Sequence, residues 1–275
     1  MFCTVPRSAR LLVLLCAAAA LFMIFPGCGS SAASNPAKVE RLPEIIVGSD
    51  NYPPFNYEDA DGKPTGIDVD LATEAFRRIG YRAVFVTIAW EEKKNLVESG
   101  EIDCIWGSFS IDGRENQYQW TEPYMYSRQV VAVRNDSDIY SLSDLAGKRV
   151  AVQSTTKPEE IFLSGSDPRI PEVFSLPNRE LIYPYLSKGY ADAIAAHETS
   201  ILQCMSDYDL KYRILDEPLL AVGLGVAFSR FDDRDLAAKL SSVFDEMRAD
   251  GTLEQIIGKY LDDPHRYLEV YSHAE

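Results

Sequence analysis

The sequence is poor in cysteine, histidine and basic residues, and each shortage excludes a class of protein. It contains five cysteines and three histidines in 275 residues, with no spacing typical of a zinc site. Its 27 lysines and arginines stand against 42 acidic residues, a formal charge of −15, which excludes a nucleic-acid binder that neutralises phosphates. No apolar run is long enough to span a bilayer comfortably. The hydrophobic content of 46% indicates a globular protein of one large domain or two lobes.

The first 27 residues have the pattern of a secretory signal peptide, in which two arginines precede an apolar run over residues 11–25. The segment around Cys28 resembles a bacterial lipobox, which predicts lipidation of Cys28 and a polar tether over residues 28–40. Ordinary signal cleavage, with Cys28 incidental, is the alternative. Removal of the leader takes away two basic and no acidic residues, so 25 basic and 42 acidic residues remain and the mature charge is −17.

The cysteines that remain after the leader do not form a disulfide framework. Cys104 and Cys204 stand in apolar surroundings, which is typical of small buried hydrophobic residues. We therefore expect no structural disulfide, and no metal or cofactor.

Strands and helices alternate along the rest of the chain, which predicts an α/β fold with mixed sheets. A buried strand over 45–48 precedes a helix from Ile67, in which apolar residues recur every four positions until Gly80. The other predicted elements are strands over 83–88, 102–109 and 148–152, and helices over 91–99, 233–247 and 252–260.

A repeated unit indicates two similar lobes. Residues 97–105 and 186–194 each end a helix at glycine, turn, and enter a strand after an aspartate. Apolar segments over 129–134 and 221–229 are the predicted connections between the lobes. We therefore predict a first lobe of residues 41–131 and 225–275 and a second lobe of residues 132–224, with a ligand cleft between them.

Polar and aromatic side chains follow the predicted strands, at the edge where α/β sheets bind ligands. Arg114 could hold a carboxylate with two parallel N–H donors. The other candidates are Tyr52, Trp90, Ser108, Ser110, Thr155, Thr156, His197 and Glu198. Each candidate also has a simpler explanation: a surface ion pair for Arg114, helix capping for the serine and threonine hydroxyls and the Glu198 carboxylate, and core packing for the aromatic rings.

Motifs after Lys38 occur in an order that resembles one known family. They are Tyr52-Pro53-Pro54-Phe55, Gly66 to Ala72, Ser99 to Asp103, Arg114, Trp120 to Tyr124, Asp144 to Lys148, Ala249 to Leu253, and Lys259-Tyr260. In this order they resemble the family 3 periplasmic solute-binding proteins, the amino-acid receptors of ABC importers. The resemblance implies the two-lobed type II periplasmic-binding-protein fold with two hinge strands. It also implies a monomer that closes on a small ligand and delivers it to a permease.

The resemblance also implies roles for the candidate residues. Arg114 would hold the ligand α-carboxylate with Ser110 and Thr156 nearby, while Ser108 would add a backbone or hydroxyl contact. Tyr52 and Trp90 would sandwich the ligand side chain, and Thr155 would come from the second lobe on closure. His197 stands where the family has an aspartate for the α-ammonium, and the loop from Ser110 to Arg114 is one residue shorter than usual. Either the neighbouring Glu198 takes that role, or the ligand is not a standard α-amino acid.

Three other functions stay open at this point. An enzyme similar to cyclohexadienyl dehydratase would need a general acid, for which His197 or Glu198 is available. A sensor module is less expected, because only a short tail follows the predicted lobes. A receptor for carboxylates or amines that are not amino acids is the third alternative.

Overall fold

The computed structural model describes residues 41–165 and 169–269. The predicted leader and the whole predicted tether, including Cys28, lie outside these residues. The strands are β1 (Glu44–Ser49), β2 (Tyr57–Glu58), β3 (Pro64–Thr65), β4 (Arg82–Thr87), β5 (Cys104–Ile105), β6 (Gln119–Trp120), β7 (Met125–Arg134), β8 (Arg149–Gln153), β9 (Glu172–Leu176), β10 (Ala193–His197), β11 (Tyr212–Ile214), β12 (Leu220–Leu224) and β13 (Ala227–Phe228). The α-helices are α1 (Ile67–Arg78), α2 (Lys93–Ser99), α3 (Lys157–Leu163), α4 (Ile182–Ser187), α5 (Glu198–Asp207), α6 (Leu236–Ala249) and α7 (Thr252–Ile257).

The first sheet has the strand order β4-β1-β5-β13-β6. Strand β1 runs parallel to β4 and β5, whereas β13 is antiparallel to β5 and β6. Helices α1, α6 and α7 bury side chains such as Leu71, Phe76 and Phe244 in the core that includes Ile45 of β1. Because the apolar residues of α1 recur at helical spacing, one face of the helix is buried along its length.

The second sheet has the order β11-β7-β10-β8-β9, with β12 also paired to β7. Strands β8, β9 and β10 are parallel to one another, and β7 is antiparallel to β10. Its two faces are covered by separate apolar clusters, one with Ile182, Leu186 and Ile201, the other with Phe162 and Leu145. Because both faces of the second sheet are buried, its central strands consist of continuous runs of apolar residues.

The chain passes between the sheets twice. It leaves the first sheet after β6, crosses over residues 121–124, and enters β7 of the second sheet. It returns over residues 225–226, between β12 and β13. The predicted α/β fold of two mixed sheets flanked by helices is confirmed, and the lobe boundaries at residues 131 and 224 stay a prediction.

Several elements are shorter than the sequence pattern predicts. The helix predicted over 91–99 begins at Lys93, and the helix predicted over 252–260 ends at Ile257. The strand predicted over 102–109 pairs only at Cys104–Ile105, since Ser108 has a φ of 50° that takes the chain out of the sheet. The helix predicted from residue 233 begins at Leu236, since Asp235 has a φ of 58°, outside the right-handed helical region. Among the described residues, no helix is long and apolar enough to cross a membrane.

Candidate functional site

The candidate site lies where the carboxyl ends of parallel strands from both sheets face each other. Trp90 follows β4 and Ser108 follows β5, while Thr155 follows β8 and His197 ends β10. These side chains line one cavity of about 20 Å³, the space of about one water molecule. The complete lining is Trp90, Ser108, Phe109, Ser110, Arg114, Gln129, Thr155, Thr156, Lys157, Arg179 and His197.

Seven of the nine predicted ligand contacts are brought together in this lining, and the other two are not part of it. Tyr52 lies directly behind His197: its hydroxyl accepts a hydrogen bond from the His197 backbone N–H at 3.2 Å, and the two ring centroids are 5.8 Å apart. Glu198 points elsewhere, because its carboxylate pairs with Arg128 at 3.4 Å and with Arg266 at 3.0 Å. Glu198 therefore has an ion-pairing role in this structure.

Arg114 is buried, and most of its guanidinium donors have no acceptor in the part of the chain that the structure describes. Its guanidinium lies 5.3 Å from the Phe109 ring centroid, and Nη1 donates to the Ser110 carbonyl at 3.3 Å. The nearest carboxylate, of Glu160, is 3.8 Å away and more than half exposed. Burial lowers the pKa of Arg114 from its ordinary value. A buried guanidinium with unused N–H donors can bind a carboxylate in the bidentate manner that the sequence predicts.

The loop that carries Arg114 is held against the second crossing between the sheets. Ser110 forms an isolated bridge with Leu224, and the backbone N–H of Ile111 donates to the Gly223 carbonyl at 3.1 Å. Gly225 fits closely against this loop, since a Cβ there would lie 2.8 Å from the Ile111 side chain. The loop from Ser110 to Arg114 therefore has a defined position beside the cavity.

His197 is neutral and has both ring nitrogens occupied. Nδ1 lies 2.8 Å from the Ser127 hydroxyl, and Nε2 lies 2.8 Å from the Gln129 amide nitrogen. Burial, followed by repulsion from Arg179, lowers the pKa of His197 to about 3. Since the amide nitrogen donates, Nε2 accepts and Nδ1–H donates to Ser127. The imidazole has no lone pair left for a ligand ammonium, whereas Oε1 of Gln129 is buried without a hydrogen-bond partner among the described residues.

Two buried cations beside the cavity were missed by the sequence analysis. The Lys93 ammonium donates to the Thr155 hydroxyl at 2.7 Å and to the Trp90 carbonyl at 3.0 Å. Arg179 stacks on Tyr52, with its guanidinium carbon 3.2 Å from the ring centroid. Arg179 follows β9 and could have been found by the same sheet-edge rule, had β9 been recognised as a strand. Lys93 opens α2 and carries no comparable sequence signal.

Strained backbone occurs on both sides of the cavity. Ser108 has a φ of 50° and Thr155 a φ of 57°, in the left-handed region that non-glycine residues rarely occupy. The Asp68 carboxylate holds Ser108 in place, because it accepts from the Ser108 backbone N–H at 2.7 Å and from the Tyr124 hydroxyl at 2.8 Å. Burial raises the pKa of Asp68 to about 7. Strain of this kind is typical of functional sites.

The described residues contain no cluster of three or more histidine, cysteine or acidic side chains that could hold a metal ion. Cys104 and Cys204 are both buried free thiols, as the sequence predicts. Burial raises the pKa of Cys204 to about 12, so this buried thiol stays protonated at neutral pH and is not suited to act as a nucleophile.

Comparisons with known proteins cover most of the chain. A family model for bacterial extracellular solute-binding proteins, family 3, matches residues 45–263. The chain is 33% identical to the histidine-binding periplasmic protein of Salmonella typhimurium, over 80% of this chain and 88% of that protein. It is 28% identical to the lysine/arginine/ornithine-binding periplasmic protein of Escherichia coli, over 85% and 92% respectively. The structure of an ancestral arginine-binding protein bound to arginine matches with a TM-score of 0.74 and 26% identity, over 79% of this chain and 98% of that chain.

Proposed function

The chain belongs to the bacterial extracellular solute-binding proteins of family 3, and we propose that it captures a small amino-acid-like ligand outside the cytoplasm and delivers it to an ABC permease. The observation that carries this proposal is the cavity at the facing edges of the two sheets, where Arg114 uses one of its donors on the Ser110 carbonyl and the others have no hydrogen-bond acceptor among the described residues. The relatives that bind histidine, or lysine, arginine and ornithine, support an amino-acid ligand, whose α-carboxylate would bind to Arg114.

Capture proceeds by hinge closure of two lobes, residues 41–131 with 225–275 and residues 132–224. The ligand binds first to the first lobe through Arg114, Tyr52 and Trp90, and the second lobe then adds Thr155 and Thr156. Hydrogen bonds already join the two sheet edges: Lys93 to Thr155 at 2.7 Å, and Gln153 to Asp50 at 2.7 Å. Such contacts support a closed state that a ligand stabilises and that the permease recognises.

A binding protein is preferred over an enzyme of the dehydratase type. His197 is neutral and hydrogen-bonded through both ring nitrogens, and the Glu198 carboxylate is held by two arginines. These contacts leave neither residue suited to protonate a leaving group. Incubation with prephenate or arogenate should yield no product, and a measured turnover would favour the enzyme.

The protein is attached to the membrane by a lipid on Cys28 after removal of residues 1–27, and acts as a monomer. The basic and apolar pattern of the leader and the lipobox-like segment support this proposal. A thioether-linked diacylglycerol would keep a receptor of charge −17 at the membrane surface beside its permease.

Arg114→Ala tests the binding role. A thermal-shift screen over amino acids, small peptides and polyamines first identifies a ligand, since a hundredfold excess over Kd stabilises by about 2.7 kcal/mol. Calorimetry with that ligand should then show Arg114→Ala weakened by about 2–3 kcal/mol, because a buried charge-assisted contact is lost. Arg77→Ala, at an exposed ion pair on α1, is the control and should bind normally. Unchanged affinity in Arg114→Ala would contradict the proposal.

A further inference from the structure

The cavity is cationic although the protein as a whole is strongly acidic. Its lining includes Arg114, Lys157 and Arg179 and contains no aspartate or glutamate. Lys93, buried behind Trp90 and Thr155, adds a fourth cation at the wall. A protein with a formal charge of −15 has therefore gathered four positive side chains around one small space. Such a concentration of one sign favours a ligand of the opposite sign.

Arg179 differs from a typical buried structural arginine because its guanidinium has few hydrogen-bond acceptors among the described residues. It is 6% exposed and stacks on Tyr52, and its Nε is buried without a hydrogen-bond partner among the described residues. Arg213 makes a comparable stack on Tyr140, at 4.2 Å, but both of its amino groups donate to backbone carbonyls at 2.8 Å. Buried guanidinium groups are normally satisfied by such acceptors. The unpaired Nε donor of Arg179 therefore indicates an acceptor that comes from the ligand.

Lys93 is likewise buried, and no carboxylate of the described residues lies within ion-pair distance of its ammonium. Its ammonium group contacts the Thr155 hydroxyl and the Trp90 carbonyl and lies 4.6 Å from the Trp90 ring centroid. Burial and the charge of Arg114 lower its pKa to about 7. A buried ammonium of this kind gains from any anion that enters beside it.

The carboxylates near this charge stand outside the lining of the cavity. Asp50 is buried and attracts Arg179 electrostatically, while its Oδ2 accepts from Gln153 at 2.7 Å. Glu160 is more than half exposed and pairs with Lys157 at 2.9 Å. The charged side chains that a ligand meets in the lining are therefore all positive.

We propose that the residues lining the cavity, once the two lobes open to admit a ligand, select a small dicarboxylate, with one carboxylate on Arg114 and the second on Arg179. The proposal rests on the proposed function for the first carboxylate and adds the second subsite. Lys93 contributes positive potential to the cavity. The neutral pair of His197 and Gln129 offers one acceptor, Oε1 of Gln129, to an amino or hydroxyl group between the two carboxylates.

The test compares acids with their amides, which have nearly the same shape and differ by one charge. Calorimetry on the full chain measures L-glutamate against L-glutamine and L-aspartate against L-asparagine, with glutarate and succinate as dicarboxylates that lack the amino group. In at least one pair, we expect the acid, or the dicarboxylate of the same chain length (glutarate or succinate), to bind ten times more tightly than the amide. Comparison of each amino acid with that dicarboxylate shows whether the ligand needs its amino group.

Arg179→Gln should remove most of this preference, lowering the acid-to-amide affinity ratio at least tenfold. Arg213→Gln is the matched control, because it removes an arginine stacked on tyrosine at a distance from the cavity, and should leave the ratio unchanged. If Arg179→Gln does not fold, Arg179→Lys, which keeps the charge but loses the planar fork, should reduce the ratio less.

The outcomes separate this inference from the function on which it rests. Tight binding of L-glutamine, L-histidine or L-arginine through Arg114, with weak binding of every dicarboxylate, would overturn the inference and leave the proposed function intact. An unchanged ratio in Arg179→Gln would also overturn it. If no amino acid and no dicarboxylate binds, the proposed function fails together with the inference.

Discussion

Replacement of Lys93 by methionine should stabilise the ligand-free protein. Lys93 is 5% exposed, and among the described residues its ammonium has a hydroxyl, two carbonyls and two aromatic rings as partners but no carboxylate within ion-pair distance. Burial first, and then the charge of Arg114, lower its pKa from 10.5 to about 7. Methionine has a similar length and no charge, so Lys93→Met removes the buried cation while filling most of its space.

The magnitude follows from the two pKa values. A native-state pKa of about 7 against 10.5 in the unfolded chain corresponds to about 5 kcal/mol of destabilisation at any pH below 7, where both states carry the proton. The lost hydrogen bonds to Thr155 and Trp90 offset this by about 1 kcal/mol each. Lys93→Met should therefore be more stable than the unaltered chain by about 3 kcal/mol at pH 6.

The pH profile is the more specific part of this prediction. Between pH 7 and 10.5 the unfolded state binds more protons at Lys93 than the native state, so the free energy of unfolding rises with pH. From pH 6 to pH 9 the unaltered chain should gain about 3 kcal/mol relative to Lys93→Met, at about 1.4 kcal/mol for each pH unit above 7. All other titrating groups are common to both proteins and cancel in the difference.

Urea unfolding at pH 6, 7, 8 and 9, in ligand-free buffer, measures this difference. Lys94→Met is the matched control, because Lys94 is the next residue, half exposed on α2, and pairs only loosely with Glu98 at 3.9 Å. Its unfolding free energy should follow that of the unaltered chain at every pH. Parallel pH profiles for Lys93→Met and the unaltered chain would refute the reasoning, since they would mean that Lys93 keeps its proton throughout this range.

Two further predictions concern the candidates whose roles differ most between sequence and structure. Glu198→Gln should lower the free energy of unfolding by about 1–3 kcal/mol, because a largely buried carboxylate loses its pairing with Arg128 and Arg266. The ligand affinity of this variant, measured by calorimetry, should stay within twofold of the unaltered chain. A tenfold loss of affinity would instead assign Glu198 to the ligand. Cys28→Ala should release the protein from the membrane fraction when cells are fractionated, and a protein that remains membrane-bound would contradict lipidation at Cys28.

Much of the fold follows from local patterns. The apolar spacing from Ile67 produces the observed helix α1, and Gly80 follows it in the left-handed region at a φ of 82°. The strand predicted over 102–109 was too long, because an apolar run does not reveal that Ser108 turns out of the sheet under the hold of Asp68, forty residues earlier. Local pattern fails where a distant contact sets the backbone.

The candidate site shows the same division. Arg114, Trp90, Thr155 and His197 could be named from the sequence because parallel strands bring their carboxyl ends to one edge, and that rule needs only strand positions. The placement of Glu198 against two arginines could not be predicted, since both partners lie about seventy residues away in the chain.

Composition, charge, apolar patterning and the order of motifs predicted an acidic α/β protein of two mixed sheets, a family resemblance, and an arginine suited to a carboxylate. Which charges share the cavity depends on contacts between residues that are distant in the chain. Arg179 is stacked on Tyr52 and the Lys93 ammonium is bound to Thr155, and these partners are 127 and 62 residues apart along the chain. Their buried, partly unsatisfied charges arise from the approach of two sheet edges, which local sequence does not encode, and they turn an acidic chain into one with a cationic cavity.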